Sequence, residues 1–104
     1  MGNLDNFDSD KFFSGANKIS NDELYAKYPN ASKAQEEIYQ FEWNENGADD
    51  EFDSYEEFES ASNSYNSFYV NPEYPNVVIN NYNDGYAGAT FGFIENESKE
   101  WEDI

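Results

Sequence analysis

The chain contains no cysteine, no histidine and no arginine among its 104 residues, and each absence excludes a class of site. Without cysteine there is no disulfide framework and no thiolate metal site. With histidine also absent, zinc or copper would have to be held by carboxylates alone, which match these metals poorly. Its only basic side chains are five lysines, so positive charge is scarce.

Long apolar runs are also missing. No stretch approaches the roughly 18–20 residues that a membrane-spanning helix needs. The first thirteen residues carry acids where a secretory signal has a basic segment followed by an apolar one. We therefore expect a cytoplasmic protein that does not bind membranes.

The groups that catalysis and metal binding need are sparse. Acid–base chemistry would fall to carboxylates, lysine and tyrosine, and a chain this short has little room for a sugar cleft around a carboxylate pair. Gly85, Gly88 and Gly92 lack the lysine and the strand–helix setting of a phosphate loop. Asp8–Asp10 and Asn80–Gly85 offer oxygen ligands without the spacing of a calcium loop. We predict no catalytic residue, no bound metal and no cofactor.

What the chain has in abundance is acid. Its 23 aspartates and glutamates give a formal charge of −18, which repels nucleic acid and attracts proteins that bind it. The mean hydropathy is −1.01, but nine Phe, nine Tyr and two Trp provide material for a core. We expect one acidic α+β domain spanning residues 1–104, with residues 1–18 loosely ordered.

The acidic residues are concentrated in one part of the chain. Residues 1–33 hold five acids and four lysines, whereas residues 34–104 hold eighteen acids and one lysine. The densest part, here called the acidic tract, carries eleven acids in 24 residues and no basic residue. Its members are Glu36, Glu37, Glu42, Glu45, Asp49, Asp50, Glu51, Asp53, Glu56, Glu57 and Glu59.

Helices are predicted in the first two thirds of the chain. Ser20 opens a capping box for a short helix that ends at Pro29, and Asn30 is placed to cap a second helix over 31–43. A third helix is predicted over about 50–66, with a second capping box at Ser54 inside it. The predicted apolar stripes are Ala31, Ala34, Ile38 and Phe41 in the second helix, and Phe52, Tyr55, Phe58, Ala61 and Tyr65 in the third.

Strands are predicted in the last third. Residues 67–70 and 77–79 are β-prone, and Asn83-Asp84-Gly85 predicts a hairpin turn into a strand that ends at Ile94. A helical turn near the C-terminus would let Trp101 dock inward. The predicted fold is therefore α+β, with two to three short amphipathic helices followed by a two- to three-stranded antiparallel sheet that has a C-terminal hairpin.

The acidic tract admits two interpretations. Charged runs are often only solvated faces, but two acids per helical turn approach half the charge density of duplex DNA, which is about one charge per 1.7 Å. We favour a partner-binding face made of all eleven acids. Trp43 is predicted to be exposed and to add an aromatic contact, whereas Phe52, Tyr55 and Phe58 have the spacing of core residues.

Two segments resemble known families. The stretch from Trp43 to Asn46, followed by 49–58, is similar to the acidic, Phe- and Tyr-studded stretches of anti-CRISPR proteins from phages and mobile elements that block Cas9. Tyr82–Gly85 and Gly88–Phe91 resemble a motif of anti-restriction proteins, which in that family lies near the N-terminus.

The resemblance implies a DNA-mimic inhibitor in the cytoplasm of a bacterial host. Such a protein would occupy the DNA-binding groove of Cas9 and cover the arginines that read the PAM. A restriction enzyme is the alternative target. An immunity protein or antitoxin that neutralises a basic nuclease toxin, and an acidic chaperone for a basic protein, are further hypotheses with similar chemistry.

Overall fold

The computed structural model describes residues 7–104 and has an α+β fold, in which helices lie on both faces of one antiparallel sheet. The helices are α1 Ser9–Phe13, α2 Asn21–Lys27, α3 Pro29–Glu45, α4 Ala48–Glu51 and α5 Tyr55–Tyr65. The strands are β1 Asn17–Ile19, β2 Asn66–Val70, β3 Val77–Asn83, β4 Gly88–Ile94 and β5 Glu102–Asp103.

The sheet is a meander in which each strand pairs with the next, in the order β1-β2-β3-β4-β5. The predicted hairpin is confirmed, because Asn83 pairs with Gly88 across the β3–β4 turn. Asp84 holds that turn through Oδ1, which accepts hydrogen bonds from the backbone N–H groups of Tyr86 (2.9 Å) and Ala87 (2.8 Å). Gly85 takes a φ of 91°, a value that glycine adopts without strain.

The prediction of two to three strands is wrong, because the described residues form five. The two missed strands, β1 and β5, have three and two residues and lie at the two edges of the sheet. In the stretch expected to be loosely ordered, the described residues include α1 and the first two residues of β1, and Phe12 is fully buried. Residues 1–6 of that stretch lie outside the described residues. In place of the predicted C-terminal helical turn, β5 pairs with β4.

Each face of the sheet has its own core. On one face, α2 and α3 contribute Leu24, Ala31 and Ala34, which pack against β-strand residues such as Phe68 and Phe93. Trp101 joins this core as predicted, with its ring 5.4 Å from that of Phe93. On the other face, Phe12 of α1 packs against Val77, Ile79 and Ile94. A third cluster, built around Tyr39, Ala48 and Phe58, joins α3, α4 and α5.

Ser20 is confirmed as the N-cap of α2, since its hydroxyl accepts a hydrogen bond from Glu23 N at 3.1 Å. The prediction that Asn30 caps the second helix is wrong. Helix α3 begins one residue earlier at Pro29, which suits a first helical position because it has no N–H to satisfy. The free N–H groups of Asn30 and Ala31 donate instead to the carboxylate of Glu95, at 2.9 and 3.1 Å.

The third predicted helix is two helices. Helix α4 ends at Glu51, and α5 starts at Tyr55 after Ser54, whose hydroxyl accepts from Glu57 N at 3.2 Å. The second capping box therefore starts a helix and does not lie inside one. Phe58 is buried as the stripe predicts, while Tyr65 at its end is 39% exposed.

The apolar stripe predicted for α3 holds only in its first half. Ala31 and Ala34 are buried, but Ile38 and Phe41 are 40% and 58% exposed. Gln35 and Tyr39 take the inner positions in the middle of the helix, because they face a polar part of the sheet. A helical pattern that counts only apolar residues does not predict that Gln35 and Tyr39 are buried here.

Candidate functional site

The acidic tract lies on α3, α4, the link after α4 and the first turns of α5. Ten of its eleven acids are exposed, and the exception, Glu42, is partly buried. Glu36 and Glu37 line a groove between α2 and α3 that also contains Lys33.

The densest part of the tract surrounds the start of α5. We call this part the acidic corner and define it as the six exposed acids within nine residues, Asp49, Asp50, Glu51, Asp53, Glu56 and Glu57. In the part of the chain that the structure describes, no lysine ammonium lies within 4.0 Å of any tract carboxylate. The ion pair that is present in those residues joins Lys27 to Glu23 at 3.9 Å, in α2.

The prediction that Trp43 is exposed is wrong. Its indole is partly buried and packs on Tyr55 and Phe58, with ring centroids 5.6 and 5.7 Å apart. Trp43 therefore supports the acidic corner from beneath by fixing α5 against α3. Phe52, Tyr55 and Phe58 belong to the same cluster, as their spacing predicts.

A cleft of about 650 Å³ lies beside the acidic corner, between the helical layer and the sheet. Its size is within the range of about 300–1,000 Å³ that is usual for ligand sites. Helices α3, α4 and α5 form one side, and the ends of β3 and β4 form the other. Its lining includes three acids, Glu42, Glu51 and Asp84, and seven aromatic residues, Tyr39, Phe52, Phe58, Tyr65, Tyr82, Phe91 and Trp101.

A chain of side-chain amides joins the two sides of the cleft. Asn66 Nδ2 donates to Ser62 O (2.7 Å) and Tyr39 Oη (3.2 Å), so Asn66 Oδ1 is left as an acceptor. It accepts from Asn80 Nδ2 at 2.9 Å. Tyr39 in turn donates to Asn63 Oδ1 at 3.0 Å. This network explains how Asn80 and Tyr39 can be buried, because buried amides and hydroxyls need partners.

Charge in the cleft is shaped by burial and hydrogen bonding. Loss of solvent raises the pKa of Glu42 above its usual value. Burial first, and then the hydrogen bond to Asp84 (2.8 Å), raise the pKa of Tyr82 to about 12. Backbone N–H groups, that of Ala87 first, lower the pKa of Asp84. Asp84 therefore stays ionised to lower pH than an isolated aspartate does.

Neither metal clusters nor spanning helices stand out in this structure. Among residues 7–104, no group of three or more acidic side chains is arranged to hold a metal ion. No helix in that range is long and apolar enough to cross a membrane.

Most residues of the cleft could not be predicted as site residues from the sequence. Gln35, Asn66 and Asn80 meet only in the folded chain, and none of them belongs to a recognisable motif. One signal was available: Asn80 and Tyr82 continue the face of β3 that begins with buried Val78. A polar residue on a core-facing position indicates either a partner network or a binding site.

No protein-family model, no curated protein and no solved structure matches the chain.

Proposed function

We propose that the protein is a DNA mimic that inhibits a host defence nuclease by occupying its DNA-binding groove. Cas9 is the first candidate target and a restriction enzyme the second. The observation that carries this proposal is the acidic corner, whose six carboxylates are exposed with no lysine ammonium of the described chain within 4.0 Å.

The spacing of the corner suits a groove that binds phosphates. The corner carries six charges over nine residues, and the helical ones among these residues rise about 1.5 Å each along the helix axis. A DNA strand carries one phosphate charge per about 3.4 Å. Helix stability accounts for some of these acids, since Glu56 and Glu57 face the positive end of the α5 dipole. It does not account for Asp53, which lies between α4 and α5, whereas the three acids of α4 lie in the first turn of their own short helix.

The mechanism is competition. A groove lined with Lys and Arg attracts the corner over long range, which speeds association, and the bound protein then blocks DNA sterically. Trp43 of α3 packs against Tyr55 and Phe58 of α5, and this contact holds the start of α5 rigidly. The packing favours this mechanism, because a rigid array of charges loses little entropy on binding.

The test is charge reversal at the corner. The triple variant Asp53→Lys, Glu56→Lys, Glu57→Lys should inhibit guide-loaded Cas9 cleavage of a target duplex at least about tenfold less well than the parent. A matched variant reverses three exposed acids outside the tract, Asp22, Glu73 and Glu100, and makes the same change in net charge. Circular dichroism confirms that both variants are folded.

The outcomes separate the competing hypotheses. Equal loss in both variants would mean that net charge alone acts, and equal inhibition by parent and corner variant would reject the corner as the binding face. If the parent inhibits neither Cas9 nor a restriction enzyme, those targets are wrong. A basic nuclease toxin recovered from the host, with its capture prevented by duplex DNA, would then favour the immunity-protein alternative.

A further inference from the structure

The cleft beside the acidic corner has features that the DNA-mimic proposal does not use. It is lined by 17 residues, none of them a lysine. Three carboxylates, of Glu42, Glu51 and Asp84, lie in its lining and make it strongly negative. A negative, partly enclosed site concentrates cations and repels anions.

Two buried acceptors in side chains that line this cleft have no hydrogen-bond partner among residues 7–104. These are Gln35 Oε1 and Asn80 Oδ1, in side chains that are 8% and 3% exposed. The network fixes the orientation of Asn80, because its Nδ2 must donate to Asn66 Oδ1 and its oxygen is left over. Leaving a buried acceptor unmatched costs about 1–3 kcal/mol, so the cleft favours a ligand that brings N–H donors.

The aromatic lining points to the same chemistry. A guanidinium or ammonium group is attracted to the faces of Trp and Tyr rings, and this attraction is strongest where water is excluded. Tyr82 and Tyr65 stand edge to face with centroids 6.4 Å apart, and both rings line the cleft. An apolar ligand would satisfy the rings but leave the two amide oxygens and three carboxylates unmatched.

We propose that this cleft binds a guanidinium or primary ammonium group. The carboxylates neutralise its charge, Gln35 and Asn80 accept its N–H groups, and the aromatic rings enclose its alkyl stem. As an arginine or lysine side chain of the partner, this ligand deepens the proposed function and rests on it; as a free amine, it is independent of that function.

One further group separates these two sources. Trp101 Nε1 lines the cleft as a donor with no partner in the chain, and a cation offers it no acceptor. A residue within a peptide brings carbonyl oxygens along with its cationic side chain. A simple alkyl amine brings none. The cleft therefore fits a peptide-borne arginine or lysine better than a free amine.

The binding test uses the full chain alone, without any nuclease. Two-dimensional ¹H–¹⁵N NMR follows titration with N-acetyl-arginine amide, and with its neutral isostere N-acetyl-citrulline amide as the matched ligand control. We expect saturable shifts of the Trp101 indole and of the Gln35 and Asn80 side-chain amides with the arginine compound. Equal binding of the citrulline compound, or no saturable shift at these groups, overturns the proposal.

The matched variants are Glu42→Gln and Glu45→Gln, which make the same change on α3. Glu42 lines the cleft and Glu45 does not. Glu42→Gln should weaken binding of the arginine compound about tenfold, the ratio that 1.4 kcal/mol produces. Glu45→Gln should leave it within about twofold. Weakening of the same size by both variants would mean that general charge, and not the cleft, holds the cation.

The two sources are then distinguished by n-butylammonium and by inhibition. If n-butylammonium binds as tightly as the arginine compound and Glu42→Gln inhibits the nuclease as well as the parent, the ligand is a free amine. If Glu42→Gln loses inhibition in parallel with binding, the ligand is a partner side chain. Failure of the cleft would leave the result at the acidic corner intact, because that result is read from different residues.

Discussion

Tyr82 and Asp84, near the end of β3, are hydrogen-bonded neighbours whose pKa values are shifted in opposite directions. Burial and the hydrogen bond to Asp84 raise the pKa of Tyr82 to about 12. The backbone N–H of Ala87 and then that of Tyr86 lower the pKa of Asp84. The phenol thus remains a donor, and the carboxylate an acceptor, over the whole neutral range. These hydrogen bonds hold the Asp84 carboxylate in place in the lining of the cleft.

The raised pKa of Tyr82 makes the fold sensitive to alkali. In the unfolded chain the phenol ionises near 10, and in the folded chain near 12, so its contribution to stability is complete below pH 10 and is lost as pH rises through 12. Tyr82→Phe should therefore lose less stability than the parent between pH 9 and 11, measured as the urea midpoint. Tyr86→Phe, at a fully exposed ring, is the control. Burial likewise raises the pKa of Tyr28 and Tyr39, so part of the loss will persist. Parallel loss in parent and Tyr82→Phe would contradict this account.

Single residues also mark where sequence reasoning fails. In α3, Ile38 and Phe41 have the spacing of core residues, yet Gln35 and Tyr39 are the buried ones. The reason is tertiary: the sheet opposite this half of the helix carries asparagines, and Asn66 donates to the Tyr39 hydroxyl. The spacing of apolar residues does not predict a core that includes polar side chains.

At the scale of elements, α3 depends on a residue far along the chain. Its N-terminus has no side-chain cap of its own, and Glu95, 64 and 65 residues away in sequence, accepts from two of its N–H groups. The carboxylate is 5% exposed and lies at the positive end of the helix dipole, which favours its charge. This one contact ties the start of α3 to the end of β4.

Removing this cap should destabilise the whole domain. We expect Glu95→Ala to lower the free energy of unfolding by about 2–3 kcal/mol, since hydrogen bonds to charged groups contribute about 1.5–3 kcal/mol. Glu95→Gln should cost about half as much, because one acceptor oxygen remains. Urea denaturation measures both, with Glu100→Ala, an exposed site, as a control expected within about 0.5 kcal/mol of the parent. Identical stabilities of Glu95→Ala and the control would show that another group caps α3.

Elements specified by local chemistry could be predicted, and those specified by a partner could not. Ser20 and Ser54 cap their helices through residues three positions on, and Asp84-Gly85 closes a turn on itself. By contrast, β1 pairs three residues with β2, and β5 pairs two residues with β4. Such short strands carry no alternation of their own and exist because a neighbouring edge is available. The acidic tract could be located from the sequence because its residues are local in the chain. The cleft could not, because its residues come together only through contacts between distant elements.

At the scale of the molecule, most lysines and the acidic corner lie on different elements of a domain that measures 41 × 27 × 24 Å. Four of the five lysines lie in residues 1–33, whereas the acidic corner lies on α4 and α5. Carboxylates packed this closely without a counter-ion repel one another, and that repulsion lowers the stability of the free protein. A cationic partner would relieve the same repulsion, so part of the binding free energy is stored in the unbound fold.

Salt should therefore change folding and binding in opposite directions. Raising NaCl from 0.01 to 1 M shortens the screening length from about 30 to about 3 Å, so repulsion within the acidic tract weakens and the melting temperature should rise. Relief of about 1 kcal/mol corresponds to roughly 4–8 °C for a domain of this size.

Binding to the proposed nuclease target should respond to salt in the opposite way. Over 0.05–0.2 M NaCl, the affinity measured by fluorescence anisotropy should fall at least about tenfold, as it does for proteins that contact DNA phosphates. The matched reversal of Asp22, Glu73 and Glu100 should keep that salt dependence, whereas reversal of Asp53, Glu56 and Glu57 should reduce it. Binding that is indifferent to salt would indicate an apolar interface and would contradict DNA mimicry.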